Sequence, residues 1–330
     1  MMKLQIKYIL LFALVILLFC ADLLIGSVRI PISHLFDNDG IYHEIIHNFR
    51  LPKAITAILT GSAISIAGLI MQTLFQNPLA GPYVLGVSSG ASLGVAIYIL
   101  AGSILPIIFI QSGFGLIISA TLGAVFVLLL VLMVSFKVRQ AVSLLLIGIM
   151  FGQIAGSVVS ILQNISNPDS LKLYITWTFG SLSAVTWDYM IIMAPIVFIG
   201  IAIVFLIQKS LNSLLLGENY AQGLGVNIKR TRLLIIIAIS LLAGATTAFT
   251  GPIAFIGIAV PHIVRKVLKT SDHLYTTLGC IFIGSALLLL CDICTQLPSE
   301  GYILPINSIS ALIGAPIIIW IIVKQNKSTY

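Results

Sequence analysis

Apolar runs long enough to cross a bilayer fill almost the whole chain, separated only by short polar breaks, and nothing else constrains its fold as tightly. A helical crossing needs about 20 such residues, because a lipid interior leaves backbone N–H and C=O groups no partners but each other. Only 8% of the 330 residues are charged, against about 25% in a soluble domain. The chain therefore reads as all-α: a single polytopic membrane domain over residues 1–330, with no room for a soluble one. Its net charge of +7 does not signal nucleic acid. The lysines and arginines stand in small clusters at the ends of apolar runs, where they orient a membrane protein.

Runs bounded by charges or turn residues predict ten helices, near 8–28, 51–75, 84–108, 115–136, 141–163, 188–208, 231–250, 253–267, 276–297 and 307–323. The eighth is short and carries Pro252 at its start and Pro261 inside it. Charge asymmetry tests it. With ten crossings and the N-terminus inside, 13 of the 17 basic residues are cytoplasmic, and Arg29, Arg50, Lys53 and Lys172 are the 4 outside. If 253–267 did not cross, Arg265, Lys266, Lys269, Lys324 and Lys327 would change sides, giving 8 against 9 and no orientation signal. Ten crossings with both termini cytoplasmic, in the cytoplasmic (inner) membrane, is the expectation. Lys3 and Lys7 ahead of Tyr8 to Ile25 resemble a signal peptide, and Leu17-Leu18-Phe19-Cys20 a lipoprotein site. The bulky Phe19 and the length of the run assign the stretch to the first transmembrane helix instead. Cys291 and Cys294 form a CxxC, which inside an apolar run reads as packing.

Residues 43–47, His-Glu-Ile-Ile-His, spell the helix of a zinc metalloprotease, in which His43 and His47 would bind one metal and Glu44 activate its water. Context opposes that reading. Gly40 and Pro52 predict only a short outer helix here, with Ile41, Ile45 and Phe49 on one stripe and Arg50 on the side of the two imidazoles, where a permanent cation disfavours Zn²⁺. The third ligand would have to be Asp37, Asp39, Asp169, Asp188 or Glu300, none in a ligand pattern. No metal or other cofactor is expected. An ion-coupled secondary transporter is a second alternative, but apart from Asp292 the membrane segments offer almost no ionisable groups to couple ions.

Residues 50–94 are more informative. Gly61, Ser62, Ala63, Ser65, Ala67 and Gly68 would let helices approach closely, and Gln72 is polar within the membrane. Asn77-Pro78 stops that helix, and Gly81-Pro82 keeps the following loop extended. Helices two to five begin outside and seven to ten inside, as an inverted repeat requires, and Gly81-Pro82 echoes Gly251-Pro252. The inner segment 209–230, KSLNSLLLGENYAQGLGVNIKR, is amphipathic, glycine-punctuated and too polar to span, so it reads as a partner-facing surface.

Arg50-Leu51-Pro52-Lys53, Gly68-x-x-x-Gln72-x-x-x-x-Asn77-Pro78-Leu79-Ala80 and Leu85-Gly86-Val87-Ser88-Ser89-Gly90-Ala91 follow one another here. Then come LGENYAQGLGV from Leu216, GPIAFIGIAVPHIVR from Gly251 and LPINSISALIGAPIIIWII from Leu304. In kind, order and distance these blocks resemble the iron-complex and cobalamin ABC transporter permeases, the FecCD family. The resemblance implies a type II importer permease that pairs with a second permease subunit, identical or not, around an axial path. Two separate ATP-binding subunits would sit beneath and an external or lipid-anchored binding protein would deliver the ligand. The chain is then a transport subunit, not an enzyme, and it lacks a GxxxxGK[ST] phosphate loop: Gly223 to Thr231 only echoes one.

Carried to this sequence, the resemblance implies that Arg50 and Lys53 face acidic residues of a docked binding protein. A third basic position of some relatives would fall near Gln296, which is neutral. Asn77 and Leu79 match the turn that forms the cytoplasmic gate. Gly217, Glu218, Ala221, Leu224 and Gly225 match the coupling segment that enters the ATPase groove. Helix five, with Gln153 among Gly148, Gly152, Ala155 and Gly156, is the expected path-lining helix, with Gln72 a second candidate. An iron-siderophore complex is the expected cargo, with haem and cobalamin as alternatives.

Overall fold

The computed structural model describes residues 2–26, 30, 40–101, 113–135, 138, 141–297 and 303–326. Arg29, Asp37, Asp39, Lys137, Arg139, Glu300 and Lys327 lie outside them. Fifteen helices follow in order: α1 (Met2–Leu24), α2 (Ile41–Ile45), α3 (Leu51–Leu74), α4 (Val87–Ile99), α5 (Gly113–Ser135), α6 (Ala141–Ile165), α7 (Pro168–Thr178) and α8 (Trp187–Leu206). The chain continues through α9 (Gln208–Leu214), α10 (Glu218–Gly223), α11 (Ile228–Ile239), α12 (Ala245–Thr250), α13 (Ile256–Leu268), α14 (His273–Thr295) and α15 (Ile306–Asn326). Among the described residues seven helical stretches are long and apolar enough to span a membrane. The other three expected crossings are α4 and α13, of 13 residues each, and α15.

α3 is the axis of the bundle, buried along nearly its whole length between α14 and α13. Lipid tails are as apolar as Leu, so helices here are held by close packing and hydrogen bonds. A methyl group on Gly61 would fall inside the carbonyl of Gly284, and one on Gly68 inside that of Gly257. Ser62 Oγ and Ser285 Oγ bond across the first of these contacts at 2.9 Å. The small-residue stripe seen in the sequence is thus the α3–α14–α13 interface.

Pro52 does not begin a new helix, contrary to expectation. α2 runs through a π turn, Ile46–Arg50, directly into α3, giving one helix Ile41–Leu74 of 34 residues. The wider turn relieves the clash between a proline ring and the preceding carbonyls, so the proline is absorbed. At about 1.5 Å per residue this helix is roughly 50 Å long, more than a bilayer's hydrocarbon core of about 30 Å. A second π turn, Ser240–Gly244, joins α11 to α12.

The short eighth crossing has a structural cause. Residues 251–255 are irregular, with Gly251 at φ 74° and Phe255 at φ 67°, and α13 starts only at Ile256. The 81–86 segment is no α-helix either: Pro82–Leu85 form a 3₁₀ turn that ends at Gly86 with φ 79°. The two pack against each other: Ile253 N donates to Tyr83 Oη at 3.1 Å, and Pro82 abuts Gly257. Ala254 N donates to Asn307 Oδ1 at 3.1 Å. Broken helices survive inside a membrane bundle only where neighbours satisfy the freed backbone groups, and Tyr83 and Asn307 do this for Ile253 and Ala254.

The outer segment 164–187, between the fifth and sixth expected crossings, is mostly helical, with α7 at its centre. Asn167 Oδ1 caps it by accepting from Ser170 N at 2.8 Å, Pro168 opens its first turn and Asp169 sits beside the positive end of the dipole.

Candidate functional site

On the outer side, α1, α3 and α14 bring four buried charges together. Lys53 Nζ lies 2.6 Å from Asp292 Oδ2 and 3.7 Å from Asp22 Oδ1. Asp22 is 0% exposed, Asp292 4%, Arg50 6% and Lys53 7%. Arg50 Nη1 donates to Leu23 O at 2.7 Å, at the end of α1. Two cations and two carboxylates form a set that balances when all are ionised, which buried charge requires. Arg50 and Lys53 were expected to offer their charge to a partner. Within the subunit Lys53 is paired with Asp292 and Asp22, and Arg50 is hydrogen-bonded to the end of α1. Asp292, the one acid noted within the membrane segments, ties α14 to α3 with Lys53 as its partner. Asp22 was missed, although a lone Asp near the end of an apolar run is the standard signal for a paired membrane acid. Above the cluster opens a cavity of about 310 Å³, with Arg50, Lys53 and Asp292 in its wall beside Gln296, Ser181 and Ser183.

The zinc-helix residues are arranged otherwise than a metal site needs. The His43 and His47 rings stack at 5.7 Å, His47 leans on Trp187, and Trp187 Nε1 donates to His47 O at 2.9 Å. Among the described residues no group of three His, Cys, Asp or Glu side chains comes together.

On the inner side, α3 ends in a tight turn. Asn77 Oδ1 accepts from Leu79 N at 2.9 Å and Asn77 O from Ala80 N at 3.0 Å, closing an Asx turn that leaves Leu79 exposed. His262 Nε2 donates to Pro78 O at 2.7 Å, fixing the turn to α13. Gln72, expected as a path candidate, is buried and clamps α3 to α13 instead. Its Oε1 accepts from Arg265 Nη1 at 2.9 Å and also from Nη2, and its Nε2 donates to Ile258 O at 3.2 Å.

The inner segment folds as the short pair α9 and α10. Gly217 at φ 100° and Gly225 at φ 84° make the turns on either side of α10, where a Cβ would be strained. Glu218 Oε1 accepts from Arg232 Nη2 at 2.9 Å, which ties α10 to α11. Ala221 is fully buried on the inward face of α10. Leu215, Leu216, Tyr220 and Leu224 project outward as an apolar knob on a polar stalk. Within the expected coupling set, then, Glu218 and Ala221 build the support, the glycines shape it and Leu224 is presented. Asn212 of α9 accepts from His273 N at 2.8 Å and from the His273 ring at 2.7 Å. The other ring nitrogen meets Thr73 Oγ1 of α3 at 2.8 Å.

α6 exposes two different stripes. Ile154, Val158, Ile161 and Ile165 form an apolar one, as a lipid-facing helix should. About a quarter turn away, Gln153, Gly156, Ser157, Ser160 and Asn164 form a polar one, equally exposed. Nothing lies within 4 Å of a Cβ built on Gly156. A polar cavity of about 610 Å³ opens among Ser88, Ser89, Tyr83, Thr178, Asn307 and Ser308. It lies beside α6, since Ser89 Oγ would stand 3.3 Å from a Cβ on Gly152.

A family model described as the FecCD transport family matches residues 14–324. The chain belongs to the FecCD transport family. Relatives of this FecCD permease include the uncharacterized ABC transporter permease YvrB of Bacillus subtilis, 34% identical over 92% of this chain and 89% of that one. The hemin transport permease HmuU of Yersinia pestis is 30% identical over 98% and 97%. The vitamin B12 import permease BtuC of Vibrio cholerae is 33% identical over 88% and 86%. A solved metal-chelate type ABC transporter in an inward-facing conformation superposes with a TM-score of 0.86, covering 96% of this chain and 98% of that one at 28% identity. The permease is an integral, multi-pass ABC importer subunit with the type II fold.

Proposed function

We propose that this FecCD permease forms half of the path by which an iron complex, of the siderophore type, crosses the cytoplasmic membrane with both termini inside. The polar stripe on α6 carries the reading. The exposed amides of Gln153 and Asn164 have no place against lipid and need water, a ligand or a second permease subunit to face, and Ser157 and Ser160, whose hydroxyls donate to Gln153 O and Gly156 O within the helix, extend the same stripe. The stripe offers amide and hydroxyl groups and no charge, which suits a bulky ligand whose metal is already enclosed by its chelator. A bare Fe³⁺ would call for carboxylates.

The partners follow from the two ends. The apolar knob at Leu216, Tyr220 and Leu224 is the surface for an ATP-binding subunit, one under each permease. A binding protein docks over the outer cavity, where an acidic side chain would compete with Asp22 and Asp292 for Arg50 and Lys53. A haem or cobalamin cargo is the second reading, favoured by the names of the Yersinia and Vibrio relatives.

The test is reconstitution of the permease with the ATP-binding subunits and binding protein encoded beside it, followed by uptake of ⁵⁵Fe-labelled siderophore complexes into proteoliposomes. ATP-dependent uptake that excess haem and cobalamin leave unchanged is the expected result. Uptake of haem or cobalamin with none of the iron complexes would overturn the cargo, and absence of any ATP-binding partner would overturn the assembly.

A further inference from the structure

The residue between α3 and the gate turn is Gln76, and its backbone is in the left-handed region at φ 45°. Glycine is the default at the end of a helix, and Asn the usual substitute. Only Gln76, Phe255 and Lys269 among the described non-glycine residues hold such a conformation. The side chain explains why a glutamine is kept there. Gln76 Nε2 donates to Leu214 O at 3.1 Å, the last carbonyl of α9. That carbonyl also accepts from Gly217 N at 3.0 Å, and a Cβ on Gly217 would stand 3.7 Å from Gln76 Nε2. The amide therefore rests on the joint between α9 and α10, while its own backbone leads directly into Asn77.

The turn is gripped from two sides. Gln76 ties its entrance to the α9–α10 joint and His262 ties Pro78 to α13. α9 has a separate hold on α3, one turn earlier, through Asn212, His273 and Thr73. That second hold keeps α9 docked whether or not Gln76 is bonded to it.

We propose that Gln76 is the positioning residue that delivers movement of the α9–α10 joint to the Asn77–Leu79 turn, so that the inner segment drives the gate through one side-chain hydrogen bond. The inference rests on the reading of α9–α10 as the ATPase-facing segment. Reach to the Leu214 carbonyl and a donor at the end of the side chain are what the strut requires; a residue that only capped α3 would be better as glycine.

The full complex, reconstituted with its ATP-binding subunits and loaded binding protein, gives the test. Gln76→Gly suits the backbone and removes the amide. Gln76→Glu keeps the length but sets an acceptor against the Leu214 carbonyl, and Gln76→Lys restores a donor. In the Gly and Glu variants ATP hydrolysis is expected to continue within about twofold of wild type, while ligand moved per ATP falls about tenfold, the scale of a single coupling contact. Gln76→Lys is expected to recover most of that ratio. An unchanged ratio in Gln76→Gly would overturn the inference and leave the functional reading standing. So would hydrolysis and uptake falling together in Gln76→Gly, since that marks a structural role. A wild-type complex that assembles no ATP-binding subunit would overturn both.

Discussion

Lys53 Nζ and Asp292 Oδ2 are 2.6 Å apart in a buried pair that joins α3 to α14. Asp22 approaches the same ammonium from α1. Removing one partner of a buried pair leaves the other charge unpaired and costs about 3–5 kcal/mol, whereas replacing both with apolar groups is near neutral. Lys53→Met should therefore destabilise the subunit by about that amount, and adding Asp292→Leu should return part of it. Thermal unfolding of the detergent-purified permease measures both. A double variant no more stable than Lys53→Met would show that the pair is not coupled.

The α6 stripes differ in what they face, so cysteines on them should differ in reactivity. Ser157→Cys and Ser160→Cys are expected to react with a charged, membrane-impermeant maleimide, and Ile154→Cys and Ile161→Cys to resist it. Gly156→Leu adds bulk where nothing is in contact. It should change stability by about 0.5 kcal/mol or less, as a surface substitution does, while blocking uptake. Equal labelling of both stripes would refute the path assignment.

At Gly284 the same kind of change should do the opposite. A side chain there meets the backbone of α3 at Gly61 and the Ser65 hydroxyl. Gly284→Val should separate the two helices and cost about 1–3 kcal/mol, typical of overpacking. Retention of the wild-type melting temperature would refute the close contact.

Leu216 and Leu224 are exposed on the inner segment. Leu224→Asp and Leu216→Asp are expected to abolish co-purification of the ATP-binding subunit and leave permease stability within about 0.5 kcal/mol. Reversing Glu218 to Arg is a poorer probe, because it sets like charges against Arg232 and disturbs α10 itself. Undiminished recovery of the ATP-binding subunit with Leu224→Asp would move the contact elsewhere.

The sequence by itself determined the class of fold, because apolar length and the need to satisfy the backbone in lipid leave helices as the only solution for this chain. It also placed the helix-packing stripe at Gly61 to Gly68, since small residues have one main use between membrane helices. The cap of α7 was legible too, in Asn167-Pro168-Asp169. Only the tertiary structure decided what the polar residues do. Gln72 and Gln153 look alike in sequence, both amides in apolar helices. One is buried against Arg265 and the other is uncovered on α6, because α13 packs against α3 while that face of α6 is exposed among the described residues. Arg50 and Lys53 likewise look like surface charge until α1 and α14 bring Leu23 O, Asp22 and Asp292 to them. Local pattern fixes which segments are helices; whether a polar side chain is held or offered depends on partners far away in the chain.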